Sequence, residues 1–286
     1  MSNTLISNRF NYLSDALPFL TNYCGSTFVI KYGGSVMKNN FLKSKFVDNI
    51  CFLQLCGINI VIVHGGGFFI NECLLRFNIE PKFNDGIRIT DPDTMEIVEM
   101  VLMGKVNPDL VSLFNKNNLF SIGLSGKDAN LIQASPLFNS VDNLTGKVDY
   151  INNRILNLLL SRKCIPIIGS VAYGIDSRTY NINADTCASA IASSLKADKL
   201  ILLTDTPGVL NDINDSSSII KLINLSDIEK LKSDNVISGG MIPKVESCIC
   251  ALESGVSSTH IIDGRLENSL LHELLTDARI GSMIVS

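Results

Sequence analysis

The sequence predicts an α/β protein built on a mainly parallel, open sheet with crossover helices, and three observations carry that expectation. Short apolar runs rich in β-branched residues alternate with longer stretches of helical periodicity. Glycine or polar loops follow directly on several of those runs, and no internal repeat or low-complexity linker interrupts the alternation. Parallel neighbours cannot be joined by a tight hairpin, so strand, helix, strand in sequence is the form a parallel sheet takes.

Taken in order, Phe10, Leu13, Leu17 and Leu20 recur at three- and four-residue steps, the stripe of an amphipathic helix over about residues 7–23. A strand follows at 27–31, a helix near 41–56, a strand at 59–63, a glycine loop, and a helix from about 68 to 77. The stretch FNDGIRIT at 83–90 reads as a short hairpin. Asp91-Pro92 then opens a long apolar-periodic helical stretch to 117, which Pro108 is expected to interrupt. Residues 119–182 read as short strands and turns around a helix at 151–162. CIPIIGSVAY and KLILLTDTPGVL are two further strand-to-loop transitions, separated by a helix at 183–197 whose small residues suit close packing on a sheet.

Composition narrows the function. A chain of 286 residues, 46% apolar and 18% charged, is long enough to bury roughly three quarters of its unfolded surface. A net charge of -4 and a pI near 5.4 leave no basic stripe for nucleic acid, and no apolar run reaches the roughly 20 residues of a bilayer span. The first residues lack both the apolar core of a secretory signal and the Arg-rich make-up of a transit peptide, so the chain is expected to work where it is made. Cys24, Cys51, Cys56, Cys73, Cys164, Cys187, Cys248 and Cys250 form no CxxC pair and have no histidine at ligand spacing, which predicts reduced thiols rather than a zinc site.

Four loops follow predicted strands: KYGGS (31–35), HGGGFF (64–69), GSVAYG (169–174) and TDTPGVL (204–210). In an open parallel sheet such loops share one edge and converge on one crevice. Bare glycine backbone lets N–H groups approach a phosphate, and a following helix N-terminus adds positive potential. One such loop alone would mean no more than the end of a strand; four together point to a ligand. There is no GxxxxGK[ST] loop, since GLSGKDAN at 123–130 offers only a GxxGK fragment, and no GxGxxG follows a strand. P-loop ATPases and nicotinamide enzymes are thereby disfavoured. Lys31, between an apolar strand and Gly33-Gly34, is either stranded at a strand's end or presented to a ligand in that crevice.

The motifs KYGGS, VIVHGGG, DGIRITD, GLSGKDANL, TYNINADTCASAIA, KLILLTDTPGVL, GGMIPKVES and HIIDGR occur in this order across nearly the whole chain. The sequence thereby resembles the N-acetylglutamate kinases of the amino-acid kinase superfamily. The resemblance implies a three-layer αβα sandwich: an N-terminal helical arm (1–24), an N-acetylglutamate-binding and dimerisation lobe (25–196) and a nucleotide-binding lobe (197–286). It also implies transfer of the ATP γ-phosphate to the side-chain carboxylate of N-acetyl-L-glutamate in arginine synthesis. That nucleophile is already ionised at neutral pH and needs no general base, so the absence of a Ser-His-Asp set is no objection. The family pattern assigns catalysis to Lys31 and Lys244, with Asp185 as the counter-charge between them, and the acyl substrate to Gly66, Gly67, Arg88 and Asn181. To the nucleotide it assigns Gly33, Gly34, Thr204, Asp205, Gly208, Val209, Leu210, Gly239, Gly240 and Met241. Mg²⁺ is expected to be held by ATP phosphates and water, without a protein cage.

Other readings stay open: a related kinase with a different acceptor such as glutamate, or a catalytically silent member that binds arginine or a partner. The Lys31, Asp185 and Lys244 set argues against silence. An N-terminal helix of this kind implies a homohexamer, a trimer of dimers, with arginine as feedback inhibitor, and a nitrogen-regulatory PII signal protein as partner in an oxygenic phototroph. The chain departs from the pattern at Phe68-Phe69, where proline is common, at Asn268 in place of a histidine, and at Ala278-Arg279 in place of Glu-Gly. Frequent asparagine and absent tryptophan suit an AT-rich genome, hence a plastid stroma or a bacterial cytoplasm.

Overall fold

The computed structural model describes residues 14–84 and 86–286. Helix α1 covers residues 14–23. The part of the expected helix before residue 14, with Phe10 and Leu13, lies outside the described residues. Ala16, Phe19, Leu20 and Tyr23 pack on the core while Leu17 is 61% exposed, so the inward face of α1 is shifted from the one expected.

Strand β1 (Thr27–Tyr32), helix α2 (Asn40–Leu55), strand β2 (Asn59–His64) and helix α3 (Gly67–Arg76) follow as two crossover units. Asn39 starts α2 by accepting from the N–H groups of Phe41 and Leu42. Strands β3 (Lys82–Asn84) and β4 (Ile87–Ile89) form the expected antiparallel hairpin. Helix α4 (Pro92–Val101) is capped by Asp91 and continues through a π turn (Leu102–Val106) into helix α5 (Asn107–Lys116). Pro108 does not interrupt the helical path. The ladder shifts to wider π bonding just before it, with the Asn107 N–H donating to the Leu102 carbonyl, and Pro108 then sits in the first turn of α5, where its missing N–H costs nothing.

Beyond strand β5 (Ser121–Ser125) the chain makes strands β6 (Ile132–Pro136) and β7 (Thr145–Ile151), then helix α6 (Arg154–Ser161), which starts later than expected because residues up to Ile151 belong to β7. Strands β8 (Ile165–Gly169), β9 (Val171–Gly174) and β10 (Thr179–Ile182) lead into helix α7 (Ala184–Leu195). Strands β6, β7, β9 and β10 close into a small barrel, an arrangement the sequence reading did not contain. Strand β11 (Lys199–Thr204), strand β12 (Leu222–Asn224), helix α8 (Ile228–Ser233), helix α9 (Ile242–Glu253), strand β13 (Ser258–Asp263), helix α10 (Ser269–Leu275) and strand β14 (Ser282–Val285) complete the chain.

The main sheet has the order β12-β14-β13-β11-β1-β2-β8-β5, parallel except where β14 runs against β13. Alternation along β1 sends Phe28, Ile30 and Tyr32 into one core and Val29 into the other. The first core includes residues of α2, α4, α5 and α10, and the second residues of α6, α7 and α9, which makes three layers. Buried Ala188, Ser189 and Ala192 let α7 lie close to the sheet and to α9, where the Ser189 hydroxyl donates to the Ser247 carbonyl. Because β1 has β2 on one side and β11 on the other, the loops after these three strands part at β1 and open a crevice.

Candidate active site

Lys31 has the parity of Val29, so its side chain leaves the end of β1 on the face where α7 and α9 lie. Two neighbours meet it there. The Asp185 Oδ1 lies 3.0 Å from the Lys31 Nζ, and the Lys244 Nζ donates to the Asp185 Oδ2 at 2.7 Å. Asp185 stands in the first turn of α7, its own N–H bonded to the Asn183 side chain, and Lys244 stands in the first turn of α9 after Pro243. Burial works to raise the Asp185 carboxyl, but the charges of Lys31 and Lys244 outweigh it and hold the group at about 2. The arrangement is therefore a buried carboxylate bridging two ammonium groups, each of which keeps further donors for a ligand.

The bridge stands where two cavities meet. The first, of 360 Å³, is lined by Lys31, Gly66, Gly67, Arg88, Asn181 and Asp185 among others. The second, of 750 Å³, is lined by Thr204, Gly208, Leu210, Gly240, Met241 and Lys244 among others. Lys31, Gly34 and Asp205 border both. Gly34, at φ +76°, has a backbone that favours glycine and faces the Asp205 carboxylate, while a Cβ at Gly33 would crowd the Lys31 Nζ at 2.9 Å. That carboxylate accepts from both the N–H and the hydroxyl of Ser35 at 2.7 Å, tying the loop after β1 to the loop after β11.

At the far end of the first cavity Arg88 is 8% exposed. Its Nη2 donates to the Gly67 carbonyl and to the Asn71 side chain, its guanidinium carbon lies 4.8 Å from the centre of the Phe83 ring, and its Nη1 has no partner among the described residues. Burial lowers its pKa to about 10, which leaves it charged at neutral pH. A buried, charged donor without an acceptor, in a cavity wall, is a docking point for an anion. The Asn181 amide nitrogen donates to the Thr90 hydroxyl at 2.9 Å, and Thr145 donates to the Arg88 carbonyl at 2.7 Å, so hairpin and barrel hold each other in register.

Most of the expected site residues gather here, with exceptions on the side of the second cavity. Val209 is fully buried and its N–H donates to the Ser282 hydroxyl, so it supports the wall from behind. Gly239 sits at φ +52° in the turn entering α9 and does not line the cavity, whereas Ser238 and Gly240 do. Asp205 is engaged with Ser35 as well as bordering the second cavity. Sequence reasoning missed Ser35, Lys38, Asp212 and Asn235 as wall residues and His64 behind the glycine loop. His64 is fully buried, its Nε2 is 2.9 Å from the Asn107 amide nitrogen, and its Nδ1 is 3.1 Å from the Gly65 carbonyl. Burial lowers it to about 4, so it is neutral and serves to hold the loop. Its place at the end of an apolar strand, as with Lys31, was the available signal.

The amino acid kinase family model matches residues 26–263. An acetylglutamate kinase of Gracilaria tenuistipitata var. liui is 59% identical over 97% of this chain and 98% of its own length. One from Thermosynechococcus vestitus is 47% identical, over 98% of this chain and 95% of its own. Among solved structures, an N-acetylglutamate synthase from Neisseria gonorrhoeae complexed with coenzyme A and N-acetyl-glutamate superposes with a TM-score of 0.86 at 21% identity. It covers 97% of this chain, which spans 63% of that protein's length, and the likeness is one of fold.

Proposed function

The chain belongs to the amino acid kinase family and, within it, to the acetylglutamate kinases that phosphorylate N-acetylglutamate; on that premise we propose how its own residues divide the work. The observation that carries the assignment is the Lys31–Asp185–Lys244 bridge at the junction of two cavities, one of which ends in a buried guanidinium nitrogen lacking an acceptor among the described residues. N-acetyl-L-glutamate takes the first cavity. Its α-carboxylate meets Arg88, the Asn181 carbonyl oxygen faces its amide, and Gly66 and Gly67 allow its backbone-side approach.

ATP takes the second cavity, between Thr204, Gly208 and Leu210 on one wall and Gly240 and Met241 on the other. Mg²⁺ brought in with ATP would be held through the nucleotide and water rather than by a protein cage, and would supply charge neutralisation on the phosphates. The side-chain carboxylate attacks without a general base, and neutral His64 is not asked to be one. Lys31 on the acyl side and Lys244 on the nucleotide side stabilise charge spreading over the transferring phosphoryl and the leaving ADP, while Asp185 keeps the two cations in position without neutralising their free donors. ADP release measured with N-acetylglutamate, glutamate, aspartate and carbamate tests the reading. Turnover is expected with N-acetylglutamate alone, and glutamate as the better acceptor would replace it.

The same reading extends to regulation. The exposed Leu17 on α1 supports an outside partner for that helix, as pairing of dimers into a hexamer requires. Arginine feedback would act where α1 meets the C-terminal segment. There the Lys199 Nζ lies 5.0 Å from the centre of the Tyr23 ring, and the His260 Nδ1 is 2.8 Å from the Glu273 Oε1. The other Glu273 oxygen accepts from the N–H groups of Ile280 and Gly281. Burial first, and the charge of Arg279 second, lower Lys199 to about 8, and an added cation at this place argues for weakened arginine binding. Relatives in a red alga and a cyanobacterium support a plastid stroma or a bacterial cytoplasm, and a phototroph source is the condition under which a PII signal protein is proposed as partner. Arginine titration of the activity, with and without such a protein, tests both.

A further inference from the structure

Lys38 and Phe68 have no part in the division of work set out above, yet both line the first cavity. Lys38 ends the short 3-10 turn Gly34–Met37 that follows β1, and Phe68 stands in the first turn of α3, just after the glycine loop of β2. The two loops form opposite sides of the crevice. The Lys38 Nζ lies 3.3 Å from the centre of the Phe68 ring, so one contact joins them across the cavity. Phe68 is 47% exposed and its ring meets Phe69 edge-on at 5.5 Å, which fixes the face it offers to the ammonium. Phe69 lies in turn 5.0 Å from the Lys105 Nζ and packs against the first core, so the pair of rings is anchored from behind.

The other cations of this cavity already have places: Arg88 is held by Gly67, Asn71 and the Phe83 ring, and Lys31 by Asp185. An acylated amino dicarboxylate carries two negative charges, and as a phosphoryl donor approaches it the cavity must hold still more. A further ammonium in the wall, steadied by a ring face and, among the described residues, by no carboxylate, is an electrostatic resource that an ion pair would have partly offset. On the reading of the first cavity as the acceptor site, we infer that Lys38 and Phe68 form a latch over it: Phe68 positions Lys38 as a third cation for the dianionic acceptor and closes the cavity between the loops of β1 and β2.

The test compares the full-length chain with Lys38→Met, Phe68→Leu and the double variant, measuring KM separately for N-acetylglutamate and for ATP. Lys38→Arg and Phe68→Tyr serve as conservative controls. Each of the first two changes is expected to raise the KM for N-acetylglutamate by about 2- to 30-fold, the range a cation–π contact supports. The KM for ATP should stay within about twofold. The double variant should be no worse than the weaker single one, because the second change removes a contact already lost, and the conservative variants should recover most of the affinity. An unchanged acceptor KM, additive losses, or an equal rise for ATP would each overturn the latch. A wild-type chain that transfers no phosphate to N-acetylglutamate would overturn the acceptor-site reading itself, and the latch with it, and is told apart by failing before any variant is made.

Discussion

At the scale of single residues, charge placement separates binding from turnover. Lys31 borders both cavities and Lys244 the second, and on the proposed division of work their charge matters most while the phosphoryl is in flight. Changing either to alanine is expected to lower kcat by about 10²- to 10³-fold with a much smaller effect on the KM for N-acetylglutamate. Arg88→Lys should do the reverse, raising that KM with kcat largely retained, because a point charge cannot make a two-pronged carboxylate contact. Steady-state kinetics on the three variants reads both directions at once. Buried titratable groups add a pH signature. Burial lowers His64 from its ordinary 6.5 to about 4, so as pH falls the unfolded chain takes up that proton first, and stability declines between about 6.5 and 4. Asp185, depressed to about 2 from 3.8, stabilises the fold above about 4, and that contribution is lost as pH falls from there toward 2. Thermal unfolding across this range should show a shallower decline from pH 6.5 to 4 in His64→Gln; an unaltered slope would place the titration elsewhere.

At the scale of elements, the π turn between α4 and α5 shows what a local irregularity is for. By shifting the ladder it delivers Asn107, a buried residue whose amide nitrogen lies 2.9 Å from both the His64 Nε2 and the Ile167 carbonyl. One side chain thus joins the end of β2 to β8 and steadies the glycine loop. Asn107→Ala removes the donor for two buried acceptors and is expected to destabilise the protein by about 1–3 kcal/mol, measured by urea unfolding. It should also weaken N-acetylglutamate binding, since Gly65–Gly67 lose their backing. Proline was read from the sequence as a break in this helix because interior proline usually is one. The long-range partner that makes the irregularity useful cannot be read from a local pattern.

At the scale of the whole molecule, the strand order decides where chemistry takes place. Loops from β1, β2 and β11 meet only because β1 lies between β2 and β11, and the barrel of β6, β7, β9 and β10 then supplies Asn181 and Thr145 to the far wall. Helix α1 stands apart from that arrangement, packed on the core by one face and exposed at Leu17. If the proposed hexamer and arginine feedback depend on α1, removing residues 1–24 is expected to yield active dimers without arginine sensitivity, read by light scattering with activity assays. A truncated chain that still forms hexamers would show that α1 does not build the ring.

Much of this was determined by the sequence alone, through short-range physics. Short apolar runs placed β1, β2 and β11, helical stretches placed α2 and α3, small residues marked α7, and glycines after strands marked the loops, because these patterns depend on a few neighbouring residues. Lys31, Arg88, Asp185 and Lys244 were legible as residue types within motifs. What only the tertiary structure decided depends on residues far apart in the chain. The closed barrel, the partnership of His64 with Asn107, the tie between Ser35 and Asp205, and the burial of Val209 behind Ser282 each join segments tens of residues or more apart. The physical reason is that a side chain's parity and spacing fix the direction it points, whereas the strand order and helix packing of the completed core determine what it meets there.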